Sequence, residues 1–159
     1  RPRGPAAAAG WYGRQLQEMD SALIQALARP FIGRGAAFGD IDNDGDTDIL
    51  VNNNAGPVRL LMNSVGSKNS WIGIDLIGSE QQNLEGVRCE ILQQGIPVRY
   101  RSFRRGGSYL SSSDPRILVG LGPVEDRCSV VVHWPDGNDE LFSSLEVRRY
   151  HTLSQGQGE

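Results

Sequence analysis

Five aspartates, Asp40, Asp42, Asp44, Asp46 and Asp48, stand on every second residue of the run DIDNDGDTD, and Gly45 is its sixth residue. Carboxylates this close repel one another, so the segment needs a counter-charge before it can settle into a compact turn. A hard divalent cation meets that need. Calcium takes about six to eight oxygen ligands from a flexible loop. At this spacing Asp40, Asp42 and Asp44 can turn inward as the chain wraps an ion, and Asp48 at the ninth position closes the site. Gly45 permits the sharp turn. Asp46 is expected to offer its backbone carbonyl with its side chain largely outside, and Asn43 to stay in solvent and support the turn. An EF-hand is excluded, because its loop ends in a bidentate Glu at the twelfth position, and that position is Val51. The exit through Ile49, Leu50 and Val51 is also β-like rather than helical. Magnesium fits less well, since it keeps several of its waters.

The rest of the chain is expected to be all-β. Short apolar runs recur between turn signals, and 20 of the 159 residues are glycine. Strands are expected at 71–78, 87–94, 97–104, 117–122, 128–134, 140–144 and 149–155, with earlier ones on either side of the acidic loop and at 58–63. Period-two alternation puts Ile72, Ile74 and Leu76 on one face of their strand. The same holds for Val87, Cys89 and Ile91, and for Cys128, Val130, Val132 and Trp134. A sandwich or barrel-like domain accommodates such a series. Both cysteines fall on inward faces, so either an inter-strand disulfide or two buried thiols is open. Residues 1–13 read as a disordered lead. Leu16, Met19, Leu23, Ile24 and Leu27 suggest a short helix over 14–28, ended by Pro30. The expected organisation is a lead and helix over 1–32, a calcium-loop unit over 33–66 and a C-terminal domain over 69–158.

Residues 33–63, GRGAAFGDIDNDGDTDILVNNNAGPVRLLMN, resemble an FG-GAP or VCBS-type repeat, a β-propeller blade, through Phe38-Gly39-Asp40 and the acidic loop. NSWIGIDLIG (69–78), NLEGVRCEI (83–91), GGSYLSSS (106–113), ILVGLGPVEDRCSVVVHWPDG (117–137) and RRYHTLSQGQG (148–158) resemble the ASPIC/UnbV domain. That domain is found at the C-terminus of cartilage acidic protein and its bacterial relatives. Gly86-Val87-Arg88 departs from the usual Gly-Ala-Arg of that pattern. The resemblance implies secreted or cell-surface proteins that bind calcium and serve cell adhesion or protein–protein contact. It implies Asp40, Asp42, Asp44, Asp46 and Asp48 as the calcium ligands and carries no catalytic residue set. One blade makes no propeller, so the chain is expected to be the C-terminal part of a longer β-propeller protein. A blade alone would have to pack against the C-terminal domain.

A non-enzymatic, calcium-binding, extracytoplasmic module is therefore the expected function, with an extracellular protein or glycan as partner. The alternative is a carbohydrate-binding module built on the C-terminal domain. Arg99, Arg101, Arg104 and Arg105 surround Tyr100 and Phe103 either as solvated charges that discourage edge pairing or as an anion site, and Trp134 is either core packing beside the WPDG turn or a sugar-stacking ring. A net charge of −3 gives no reason to expect nucleic acid, and no run of about 18 apolar residues suggests a membrane span. The opening RPRGPAAAAGW is not a signal peptide, so a processed or partial chain is expected. His133 and His151 lack the setting of a catalytic base beside a nucleophile.

Overall fold

A computed structural model describes residues 9–12, 15–18, 32–65, 69–79, 83–94, 96–108, 110–122 and 126–159. Among these there is no helix; the chain is all-β. The strands are β1 (Ala9–Tyr12), β2 (Gln15–Glu18), β3 (Gly33–Gly39), β4 (Asp48–Asn53), β5 (Arg59–Leu61), β6 (Ser70–Ile77) and β7 (Arg88–Gln93). There follow β8 (Ile96–Ser102), β9 (Gly106–Ser108), β10 (Ser111–Ser112), β11 (Ile117–Gly122), β12 (Arg127–His133), β13 (Asp139–Glu146) and β14 (Arg149–Ser154). The helix expected over 14–28 is not formed at its start: β2 lies there, paired antiparallel with β1, Trp11 opposite Leu16. Backbone pairing with the preceding strand has overridden a helical spacing that was present only in side chains. The remainder of that segment, and most of the expected lead, lie outside the described residues.

Two sheets form the C-terminal sandwich. One has the order β11-β6-β14, the other β13-β12-β7-β8, and they do not close into a barrel. The alternation seen in the sequence is what joins them. Ile72, Ile74 and Leu76 of β6 meet Cys89 and Ile91 of β7 and Cys128, Val130 and Val132 of β12 in one core, with Val87, Trp134 and Leu153. Each fully buried side chain of this size stabilises the fold by roughly 1.5–3 kcal/mol. The 134–138 turn closes the β12–β13 hairpin: Trp134 N–H donates to the Asn138 carbonyl, and Gly137 has φ 88°. β14 runs parallel to β6, with Tyr150 opposite Gly73. Gly73 has no Cβ, and one placed there would collide with the Tyr150 ring. The tyrosine therefore lies across β6 on the outer side of its sheet.

The third sheet is antiparallel, in the order β3-β4-β5. The acidic residues 40–47 link β3 to β4, and they rest on the sandwich. Gly45, at φ 93°, sits against the Trp71 indole so closely that a Cβ there would overlap the ring. Trp71 is buried although it points away from the core of its own sheet. Its ring also meets Tyr150, with centroids 5.3 Å apart and planes tilted by 59°. One part of the packing of the β3–β5 sheet on the C-terminal domain is thus made by the acidic loop and two aromatic rings.

Cys89 and Cys128 are both buried, and no disulfide joins them. The register explains why. Cys89 stands opposite Val132, four residues along β12 from Cys128, which separates the two by roughly 13 Å at the rise of a strand. A disulfide needs Cα atoms about 4.4–6.8 Å apart. Burial pushes the Cys89 thiol up to about 12, so it holds almost no thiolate at neutral pH. A thiol-reactive chromophore should therefore label neither cysteine in the native protein and both in denaturant, and a reducing agent should leave the melting temperature unchanged. Rapid native labelling of Cys89 would contradict this packing.

Candidate metal centre at the joint of the two units

The acidic loop folds back on its own carboxylates. Asp40 and Asp48 are almost fully buried, at 2% and 1% exposure. Asp40 Oδ1 accepts from Asp44 N–H at 3.1 Å and Oδ2 from Gly45 N–H at 3.0 Å. Asp48 Oδ2 accepts from Ile41 N–H at 2.9 Å, and Oδ1 from Asn63 N–H at 2.8 Å. These amides hold two negative charges where solvent does not reach them. Each carboxylate oxygen can accept again, since it carries further lone pairs. Carboxylate oxygens of Asp40, Asp42 and Asp48 then lie within 4.8 Å of one another. Partial loss of hydration, followed by the charges of Asp44 and Asp48, holds the Asp42 carboxyl above its ordinary value.

The other two aspartates are placed differently. Asp44 is half-buried, and its Oδ1 accepts from Asp46 N–H at 2.9 Å. Asp46 was expected to keep its side chain outside. It is instead 8% exposed, and its buried Oδ2 has no hydrogen-bond partner. The left-handed turn at Gly45, pinned on Trp71, carries the next residue into the packed region. Asn43 is exposed in the left-handed region at φ 60°, yet it is not left to solvent alone, because its Oδ1 accepts from Arg116 Nη1 at 2.7 Å.

Arg116 was not singled out in the sequence, nor was Tyr150. Tyr150 Oη donates to Asp40 Oδ2 at 2.8 Å. Arg116 Nη2 donates to the Asp40 carbonyl at 2.7 Å and to Asp114 Oδ2 at 2.6 Å. Its Nε donates to both Asp114 oxygens, and its guanidinium carbon lies 4.1 Å from the centre of the Tyr150 ring. Asp114 N–H donates to the Phe38 carbonyl at 2.8 Å, and Phe38 N–H to Ser113 Oγ at 3.3 Å. Burial and then the bond to Asp40 raise the Tyr150 phenol well above its ordinary range. Partial burial pushes the Asp114 carboxyl up, but the bonds from Arg116 outweigh it and leave the group below its usual value. The only local signal was the turn sequence Asp114-Pro115-Arg116, which reads as a strand end. A cleft of about 310 Å³ opens beside this centre, bordered by Asp40, Asp48, Ile41, Asn43, Asp114 and Arg116.

The expected C-terminal sites are rearranged. Trp134 is 3% exposed, with its ring in the core, so it is not available to stack a sugar. Its inward register on β12 is the cause. Arg99, Arg101, Arg104 and Arg105 are all exposed, but they do not frame one aromatic patch. Phe103 is buried, and Arg105 lies over its ring at 5.8 Å. Arg99 and Arg101 pair with Ile91 and Cys89, whereas Tyr100 pairs with Glu90 and so faces the other side. Glu90 raises the Tyr100 phenol above its ordinary value. β8 is an edge strand, where exposed arginines discourage pairing with another chain. His133 Nδ1 lies 2.7 Å from Asp139 Oδ1, and His151 Nε2 lies 2.7 Å from the Glu146 carbonyl oxygen.

A family model described as ASPIC and UnbV matches residues 79–159, just over half of the chain. The match contains Asp114, Arg116 and Tyr150. β6, the central strand of its sheet, lies ahead of it. No curated protein matches the chain.

Two outcomes test the centre without any metal. In chelator, Asp48→Ala should lower stability by about 2 kcal/mol, because two backbone donors lose their acceptor; relief of repulsion with Asp42 offsets part of this. Urea unfolding measures it, and an unchanged midpoint would show that the two bonds do not order the loop. Asp114 has a depressed folded value, so its contribution is complete above the ordinary aspartate range near about 4 and is lost as pH falls through and below that range. The melting-temperature gap between the wild type and Asp114→Asn should accordingly be present at neutral pH and close in acid. A gap that stays constant would rule out the ion pair as its source.

Proposed function

The chain belongs to the ASPIC and UnbV family, and on that premise we propose that it is a calcium-binding, extracytoplasmic interaction module rather than an enzyme. The domain is a C-terminal domain of propeller-type proteins, and the unit ahead of it is read as a blade of the FG-GAP or VCBS type. The observation that carries the reading is the meeting of Asp40, Asp42 and Asp48 oxygens within 4.8 Å. The donor set fits a hard cation: every donor is a carboxylate oxygen, and none is sulfur or imidazole. The unpartnered, buried Oδ2 of Asp46 also suits a cation-bearing loop. Asp40, Asp42 and Asp48 would hold the ion, with Asp44 and Asp46 the remaining carboxylates of the loop. A bound calcium would supply positive charge directly to carboxylates held by backbone amides and the Tyr150 hydroxyl.

The β3–β5 sheet supports the propeller part of the proposal. Phe38 at 47% exposure lies on one face, and Leu50, Leu60 and Met62 at 40%, 46% and 47% lie on the other. A lone antiparallel sheet normally presents apolar residues on one side only. A blade flanked by others buries both, so partners are read as further blades and, beyond them, an extracellular protein. Secretion and adhesion follow from that class of protein.

A second reading, glycan binding, draws on a cleft of about 500 Å³ lined by Arg34, Asn52, Asn53, Asn54, Ser111 and Ser112 among apolar residues. Amides and hydroxyls in that density suit sugar hydroxyls. Binding on a glycan array that is lost in Asn52→Ala would favour it over the first reading.

Calorimetric titration with calcium should reveal one site with a dissociation constant on the order of 10⁻⁴–10⁻³ M, as in extracellular modules. At a tenfold excess over that constant the folded state gains about 1.4 kcal/mol, a rise of roughly 3–6 °C in melting temperature. Absence of both heat and shift would refute the calcium reading.

A further inference from the structure

Two side chains of the C-terminal domain reach the first aspartate of the loop, one from a strand and one from the segment before another. Tyr150, on β14, donates to its carboxylate, and Arg116, just ahead of β11, donates to its carbonyl. Arg116 cannot ligate a cation, since a guanidinium offers donors only, and the Tyr150 hydroxyl is turned to Asp40 as a donor. They are also fixed by each other, since Arg116 lies over the Tyr150 ring while its Nε and Nη2 hold Asp114. The Asp40 oxygen that Tyr150 contacts also accepts from Gly45 N–H. Two donors therefore hold that oxygen, and a carboxylate oxygen of Asp40 lies within 4.8 Å of oxygens of Asp42 and Asp48. Gly45 in turn rests on Trp71, and Trp71 on Tyr150. The contacts form a closed ring that passes from the loop to the sandwich and back.

We infer that Tyr150 and Arg116 are positioning residues of the metal centre, through which occupancy of the loop and docking of the β3–β5 sheet on the sandwich are coupled. The inference rests on the calcium reading. Groups behind a ligand orient it, and their loss typically lowers metal affinity about 10–100-fold. Coupling is reciprocal: whatever the docked joint adds to ion affinity, the ion adds to the joint. Asp114 completes the device, because it holds the guanidinium that would otherwise be a bare positive charge beside a cation site.

Calcium titration of the wild type, Tyr150→Phe and Arg116→Lys tests this, with thermal unfolding of each in chelator and in calcium. Tyr150→Phe removes one hydroxyl and keeps the ring over Gly73. It should bind calcium about tenfold more weakly, and its calcium-induced rise in melting temperature should shrink. Arg116→Lys keeps the charge but loses the fork and should act in the same direction; it carries the test if Tyr150→Phe does not fold. A merely structural role predicts something else: melting temperatures lowered equally in chelator and in calcium, with affinity unchanged. That result overturns the coupling and leaves the calcium reading intact. A wild type that binds no calcium overturns both.

Discussion

Asp40 is a buried carboxylate with more hydrogen-bond donors around it than any other residue of the loop. Its oxygens take amides from Asp44 and Gly45 and the hydroxyl of Tyr150, and its carbonyl takes Arg116. A charge removed from water is tolerated only when it is surrounded by donors or opposite charge. Satisfying this one therefore dictates much else. The loop must turn at residue 45, where only glycine both adopts φ 93° and clears the Trp71 ring. β14 must lie beside β6 in a register that puts Tyr150 over a glycine. The segment ahead of β11 must carry an arginine long enough to reach back across the joint.

The sandwich supplies the rigidity this arrangement needs. Its core is formed by alternating residues of β6, β7, β11 and β12, and β14 is held to β6 along its whole length. Side chains on rigid strands hold a site more precisely than side chains on loops. The acidic residues lie on a loop, and their placement is borrowed from strands of the other unit. Functional chemistry and structural support thus come from different parts of the chain. The family match, which begins at residue 79, contains Asp114, Arg116 and Tyr150 but neither Trp71 nor the aspartates of the loop.

The β3–β5 sheet has the opposite character. Its three strands pair well but bury little, and large apolar side chains remain exposed on both faces. Sheets of this size are rarely stable alone. Here the acidic loop anchors one end to the sandwich, while the rest presents surface for neighbours. Exposed arginines on β8 guard the sandwich edge.

The sequence by itself determined the class of fold and the position of the acidic loop between two strands. Period-two alternation is a local property, fixed by the geometry of one strand. It located the inward residues from Ile72 to Trp134 and placed every main strand of the sandwich within a few residues. The DxDxDGxxD spacing is local too, and so is the turn at Gly45. The tertiary structure alone decided what lies more than one strand away. Strand order put Cys89 and Cys128 too far apart to bond. A parallel pairing placed Tyr150 110 residues from the carboxylate it holds, and Arg116 lies 76 from the carbonyl it contacts. No periodicity in a chain reports contacts at that distance. They arise only when burying the sandwich core fixes which strands are neighbours and which side chains meet across them.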